Sequence, residues 1–467
     1  MTTPAVFTAA LAWLLATHWG FLDLPYHWDE LGYFVPAARD LLERGALTPL
    51  STPPNIHPPL VMAWLAAAWK LFGFAVPVTR VAMLVVAAGV LTAVWLLAAR
   101  VAGPRAGLAA AALAAVSPPF VAQSMLAHLD LPATLWAVLA VYWFLGERWG
   151  LCAAASAALV LTKETGILVP LVLAVFARRA RKPVWFAAPA IVALAGWVVF
   201  VHASTGYWLG NPEFGRYNVD QAAQFVRAPL VLVRRAYQLG FANFHWIATL
   251  ALVRSRRLPH APLFATLIAA YLLLHSVVGG AILLRYLLPA LALFYVAAAA
   301  VLNRPALIFF VAGLAVSNWW NPPYPFGYED NLAVADFVRL HQQAARWLAA
   351  QHPDRTVTTA WPLTDALTNP LGGYVDHPLR VRPVENFQPG SWVVVRADQL
   401  DLVAIYSRSW DPERGWQRWG PAARLMDRYF GYRPPATPEE LAARFGLRRL
   451  VRWERRGQWL EILERAR

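Results

Sequence analysis

Apolar residues run in long, nearly unbroken blocks over the first two thirds of the chain, and in short alternating or helix-spaced stretches over the last third. A helix needs about 20 apolar residues at 1.5 Å rise each to cross the hydrocarbon of a bilayer. Blocks of that kind predict helices at roughly 4–22, 78–99, 106–122, 129–146, 149–162, 166–177, 183–202, 236–253, 261–279, 283–301 and 305–318. Two of them, 149–162 and 166–177, are short. Joining them into one crossing would strand Lys163 and Glu164 in mid-bilayer at roughly 2.5–3.5 kcal/mol each, so two spans are expected. The apolar run over 57–74 is read as an interfacial or re-entrant helix, with Trp64 and Trp69 suited to the headgroup level.

Past residue 319 no further apolar block of that length occurs, and polar residues and proline-rich turns take over. The pattern there predicts an amphipathic helix over about 331–350, strands TVTTAW and WVVVRA, a helix over about 437–445, and a terminal hairpin of LVRWE and WLEIL around Arg456-Gly457. The expected fold class is therefore a polytopic α-helical membrane protein of about eleven spans. Residues 1–318 would form the membrane domain, with a large first loop over 23–77, and residues 319–467 a soluble α/β domain.

Composition agrees: 58% of the 467 residues are hydrophobic and 15% charged, outside the balance of soluble domains. One cysteine, Cys152, excludes an intrachain disulfide and a zinc–cysteine cluster. The net charge of +14 would suit nucleic acid if it formed a patch. Instead it collects in alternate turns. With the N-terminus inside, the inner turns hold Arg100, Arg105, Arg148, Arg178, Arg179, Arg181, Lys182, Arg254, Arg256, Arg257 and Arg304 against one acid, Glu147. That asymmetry is the signature of cytoplasmic turns and removes the main support for a nucleic-acid partner. It predicts a multi-pass protein of the cell (inner or plasma) membrane with a cytoplasmic N-terminus and an extracytoplasmic C-terminal domain. The segment over 4–22 has no Lys or Arg before it and no small-residue cleavage site after it, so it is expected to remain as the first helix.

The same orientation puts four ionisable groups on the outer face: Asp29-Glu30 with His57 in the first loop, Asp130 at the mouth of a helix, Lys163-Glu164, and Arg285. Each has a plainer reading. Asp29 and Glu30 suit the start of an amphipathic helix, Asp130 an N-cap before Leu131-Pro132, Arg285 a helix-end arginine, and Lys163 an internal pair with Glu164. No GxxxxGK, no GxGxxG after a strand and no HExxH is present, so nothing points to a nucleotide cofactor or to zinc-protease chemistry.

Five motifs in order, the DE of HWDELGYF, the helix start of NIHPPL, AHLDLPATLW, LTKETGILVP and RYLLPALALF, resemble the GT-C glycosyltransferases. The nearest likeness is to the protein O-mannosyltransferase and lipid A aminoarabinose transferase families, over roughly residues 1–320. That resemblance implies an inverting glycosyltransferase. It would move a sugar from a polyprenyl-phosphate carrier held in membrane lipid to an extracytoplasmic acceptor. Inversion requires a carboxylate to take the acceptor's proton and cations to hold the departing phosphate. It implies Asp29 as base and Glu30 as its support. His57, Lys163 and Arg285 would bind the donor phosphate, and Asp29 with Asp130 would hold a divalent metal cation. Ile56 stands where some relatives carry a carboxylate, removing one metal ligand. The loop from His202 to Gln224 resembles an acceptor lid in which Tyr207, Trp208, Glu213 and Arg216 would meet a sugar. The rival reading is a transporter or flippase of lipid-linked substrates, which should show inverted-repeat hydropathy and charges at the midplane.

Overall fold

The computed structural model describes residues 2–220, 224–255, 258–412 and 415–465. The chain forms two compact units. The first comprises Met1–Leu22, Tyr33–Trp320 and Glu329–Asn331, and the second Asp23–Gly32, Asn321–Tyr328 and Leu332–Arg467.

The first unit is helical. Among the described residues, four segments, Thr3–Phe21, Val76–Ala102, Trp185–Thr205 and Leu284–Val301, are long and apolar enough to cross a membrane, and six shorter apolar helices accompany them. A helix that is apolar all round must be covered by lipid or by other helices, and this set marks an integral membrane protein. Val76–Ala102 is the centre of the unit. It buries residues along its whole length and packs on Thr3–His18, Pro104–Val116, Asp130–Leu145 and Leu288–Val301. Gly103, at φ 90°, reverses the chain into Pro104–Val116, a backbone angle that only glycine adopts without strain.

Two expectations for this unit change. The helix predicted over 236–253 is two pieces, Arg227–Gly240 and Trp246–Arg254, with Asn243 and Phe244 at positive φ between them. The buried His245 explains the break: its Nδ1 lies 3.0 Å from the Gln238 carbonyl and its Nε2 2.9 Å from the Tyr295 hydroxyl, so a side chain replaces the next turn of backbone bonds. Trp69, expected among headgroups, is buried and donates to Thr79 Oγ1 at 2.9 Å. Leu60–Phe72 therefore packs by that edge on Val76–Ala102. The predicted break near 163 is real: Trp149–Thr162 ends at an extended Lys163, a short 3-10 turn Glu164–Ile167 follows, and Leu168–Arg179 resumes. Arg256 and Arg257, used in the charge argument, lie outside the described residues.

The second unit is built on a five-stranded mixed sheet of β1 Val357–Ala360, β2 Val381–Val384, β3 Leu402–Tyr406, β4 Leu447–Arg455 and β5 Gln458–Arg465, in the order β2-β1-β3-β5-β4. β1 runs parallel to β2 and β3, while β3–β5 and β5–β4 are antiparallel. All five residues of β3 are buried, as a central strand covered on both faces requires. The helix Ala333–Gln351 packs on β4 and β5, and Gln458 Nε2 donates to the Ala333 carbonyl at 2.8 Å. Opposed residues of the terminal hairpin pair by charge, Arg448 with Glu464 and Arg452 with Glu461, which adds to cross-strand pairing.

The predicted strand WVVVRA is not one. Its β-branched run looks extended, but Pro389–Trp392 is a 3-10 turn that buries Trp392 and leaves Val393 and Val394 exposed. The strand is LVAIY just downstream, whose residues are all buried. β2 and the helix Gly420–Phe430 were not expected from the sequence.

Candidate functional site

In the first unit the break between Trp149–Thr162 and Leu168–Arg179 places two adjacent, oppositely charged side chains at a helix junction. Extended backbone at Lys163 (φ −151°, ψ 126°) turns consecutive side chains to opposite sides, so Lys163 and Glu164 reach different partners. Lys163 Nζ pairs with Asp130 Oδ1 at 2.5 Å, and Glu164 Oε2 with His57 Nδ1 at 3.0 Å. Burial alone would raise the pKa of Glu164, but His57 and Lys163 outweigh it and hold the carboxyl at about 2.

Asp130, the first residue of Asp130–Leu145, is 5% exposed. Its other oxygen lies 3.3 Å from Arg285 Nε, and Arg285 Nη1 reaches Glu329 Oε2 at 3.1 Å. Charges thus alternate along Lys163, Asp130, Arg285 and Glu329. Arg285 Nη1 also meets His128 Nδ1, and Gln123 Nε2 donates to the Glu329 carbonyl at 3.2 Å. Next to Glu329, Asp330 accepts the Leu284 N–H at 3.0 Å. Burial raises the Asp330 carboxyl to about 6 in spite of the nearby Arg234, Arg235 and Arg285.

Three cations gather round one ring. Lys163 Nζ stands 4.4 Å from the centroid of Tyr286, Arg285 Cζ 5.5 Å and Arg235 Cζ 5.6 Å, with His275 stacked on the same ring at 5.4 Å. Arg235 is 0% exposed. Its Nη1 serves the Leu283 carbonyl and Gln238 Oε1, while its Nε and Nη2 have no hydrogen-bond partner among the described residues. A buried donor left unmade costs about 1–3 kcal/mol, more for a charged group. Such an edge presents two parallel N–H donors, the geometry that holds a phosphate or carboxylate.

The loop expected to act as a lid is tied to the first loop. Asn211 Nδ2 donates to the Pro54 carbonyl and the Phe214 ring meets His57 edge-on at 5.2 Å, while Trp197 in the preceding helix Ala188–Thr205 donates its Nε1 to the Ile56 carbonyl at 2.7 Å. The side chains named for acceptor binding are largely exposed. Tyr207 and Trp208 are 51% and 57% exposed, Trp208 stacks flat on His202 at 3.9 Å, and Arg216 pairs with Glu213 at 2.9 Å.

Asp29 and Glu30 lie in the segment Asp23–Gly32, which belongs to the second unit. There they do different work. Glu30 is fully buried and its Oε2 accepts the His27 N–H at 2.8 Å, closing its own turn as a local cap. Asp29 is half-buried and follows Trp28, a bulky residue at φ 41°, where left-handed backbone is rare and strained. Trp28 is held against Trp361 at 4.6 Å and Arg408 at 5.4 Å.

Sequence reasoning missed Arg235, His128, Glu329 and Asp330. The pairs Arg234-Arg235 and Glu329-Asp330 were visible as charges beside apolar runs, but local spacing does not show that they meet a cluster built from three other helices. No group of three or more His, Cys, Asp or Glu among the described residues is arranged to hold a metal ion.

Residues 56–208 match the family model of the dolichyl-phosphate-mannose-protein mannosyltransferases. Among curated proteins none matches. Two solved structures are similar over almost the whole chain. ArnT from Cupriavidus metallidurans bound to undecaprenyl phosphate has a TM-score of 0.56, with 15% identity over 98% of this chain and 97% of that one. The same protein in the apo state has a TM-score of 0.54 at equal identity and coverage. At that identity the likeness shows the fold, and it bears out the GT-C resemblance carried by the five motifs.

Proposed function

We propose that this protein is a glycosyltransferase that takes a sugar from a polyprenyl-phosphate carrier and passes it, with inversion, to an extracytoplasmic acceptor. The observation that carries this reading is the group of Lys163, Arg285 and Arg235 round Tyr286, in a fold shared with a protein solved with undecaprenyl phosphate. Buried cations at the end of apolar helices suit a lipid-borne anion better than a soluble one, because the tail stays among the helices while the phosphate meets the charges.

In the reaction the acceptor hydroxyl oxygen attacks the anomeric carbon, its proton passes to a carboxylate, and the bond from that carbon to the phosphate oxygen breaks. Negative charge then builds on the phosphate, where a fixed guanidinium or ammonium stabilises it most. Asp29 is assigned the role of base that the family motif implies. His57, in contact with the Glu164 carboxylate, is assigned to the donor side, and Lys163, Arg235 and Arg285 complete that side. Asp130 already has both oxygens on cations, a donor set that does not suit a divalent metal, so no step is routed through one. Tyr207, Trp208, Glu213 and Arg216 remain the proposed acceptor contacts.

The test is to reconstitute the purified protein in lipid nanodiscs, offer a panel of polyprenyl-phosphate sugars and acceptors, and follow release of polyprenyl phosphate. Asp29→Asn should lower turnover by about 100-fold or more. Full turnover in that variant would remove Asp29 from the mechanism. A transporter would move the lipid-linked sugar across the bilayer and release no free carrier, and that result would overturn the enzyme reading.

A further inference from the structure

Among the described residues, the second unit has one helix of eight residues or more without a fully buried side chain; Ala422, Met426 and Tyr429 on it are half-buried. Ala333–Gln351 and Pro438–Phe445 each cover an apolar face, whereas Gly420–Phe430 has no buried residue. Its sequence GPAARLMDRYF is nonetheless strongly two-sided. At 100° per residue, Arg424, Asp427 and Arg428 fall on one side and Ala422, Leu425, Met426 and Tyr429 on the other. Leu425 is 36% exposed, and in the turn just before the helix Trp416 and Trp419 are 57% and 70% exposed.

The charges around this face are basic. Among the described residues, Arg418, Arg424, Arg428 and Arg433 are set against Asp411 and Asp427, while Glu413 and Arg414 lie outside the described residues. Both acids are already used: Asp411 pairs with Arg418 and Asp427 with Arg433, and these pairs brace the two ends of the helix. Arg424 and Arg428, one turn apart and exposed, have no acidic partner among the described residues.

We propose that Gly420–Phe430, with Trp416 and Trp419, is a surface helix that lies on a bilayer bearing anionic headgroups. It would set Leu425, Tyr429 and the two indoles at the level of the acyl boundary, with Arg424 and Arg428 among the phosphates. An amphipathic helix with arginine on its polar face and tryptophan beside its apolar face is suited to that plane. Each such cation adds about 1 kcal/mol of attraction to an anionic leaflet. A lipid surface is always at hand, because the same chain carries helices that cross a membrane. A protein partner fits less well. Eleven residues make a helix of about 16 Å, too short to supply by itself the roughly 800 Å² per partner of a stable protein interface.

The experiment uses the full-length protein with Cys152, its single cysteine, removed as C152S and a solvatochromic probe attached through L425C. It is placed in nanodiscs of phosphatidylcholine, or of phosphatidylcholine with one third phosphatidylglycerol, each with and without nitroxide-labelled lipid. Nitroxide quenching should be about two-fold or more stronger in the anionic discs, fall with added salt, and be abolished by R424E/R428E. A probe at E439C on Pro438–Phe445 should not respond, which controls for general loosening. Equal quenching in neutral and anionic discs, or none in either, overturns the proposal. A blue shift that grows with protein concentration in detergent would overturn it in favour of a second copy of the chain covering the face.

Discussion

Among single residues, the cations do not stand on an equal footing. Lys163 and Arg285 were legible as phosphate-binding candidates, yet both are engaged by carboxylates. Arg235, which no motif marked, keeps an open edge. Arg235→Lys should therefore weaken binding of polyprenyl phosphate by about ten-fold or more, because an ammonium cannot offer two parallel donors. Native mass spectrometry with a lipid titration on monodisperse protein measures this, and unchanged affinity would take Arg235 out of the donor site. Asp330 supplies a pH dependence. Its carboxyl moves from an ordinary 3.8 to about 6 in the fold, so the folded state favours the protonated form. The stability this group contributes is complete below about pH 4 and is lost as pH rises through about 6, on the order of 3 kcal/mol in all. Asp330→Asn keeps an acceptor for Leu284 N–H and cannot ionise. Its apparent melting temperature should gain on the wild type between pH 5 and 7.5, and parallel curves would contradict that.

At the level of elements, periodicity located most of the helices and misplaced those whose limits are set by tertiary partners. The break at Lys163 was visible because two charges interrupt an apolar run. The break before His245 was not, because it depends on hydrogen bonds to Gln238 and Tyr295 that no local pattern reveals. WVVVRA failed for a related reason, since β-branched residues favour strands only where the sheet covers them. The helix over about 437–445 was foreseen from its pattern, and the structure shows what fixes its start: Thr437 and Glu440 form both halves of a capping box. Thr437→Ala should lower the stability of the second unit by about 1 kcal/mol. Chemical denaturation followed by a probe on that helix would show it, and no change would mean the cap is replaced by solvent.

For the molecule as a whole, the charge asymmetry of the turns predicts which side of the membrane each turn faces, and that prediction is open to direct measurement. In the C152S background, S409C in the second unit should react with a membrane-impermeant maleimide on intact cells, while a cysteine at Arg179 should react only after permeabilisation. The reverse result would invert the topology. The sequence divided the chain close to residue 320 but gave no hint that Asp23–Gly32 would join the second unit. The reason is that His27, Trp28 and Tyr26 find their partners in Phe337, Trp361 and Gly372, more than 300 positions away.

The rims of the five-stranded sheet have a bearing on how this domain associates. One rim, β2, is four residues long and holds Pro383, which lacks an N–H to donate. The other, β4, exposes Arg448, Arg449, Arg452 and Arg455. Short, proline-bearing and highly charged borders resist the addition of another chain's strand. A strand from another chain therefore finds no ready border on this sheet, and contact between this domain and other molecules falls to side chains instead of to backbone.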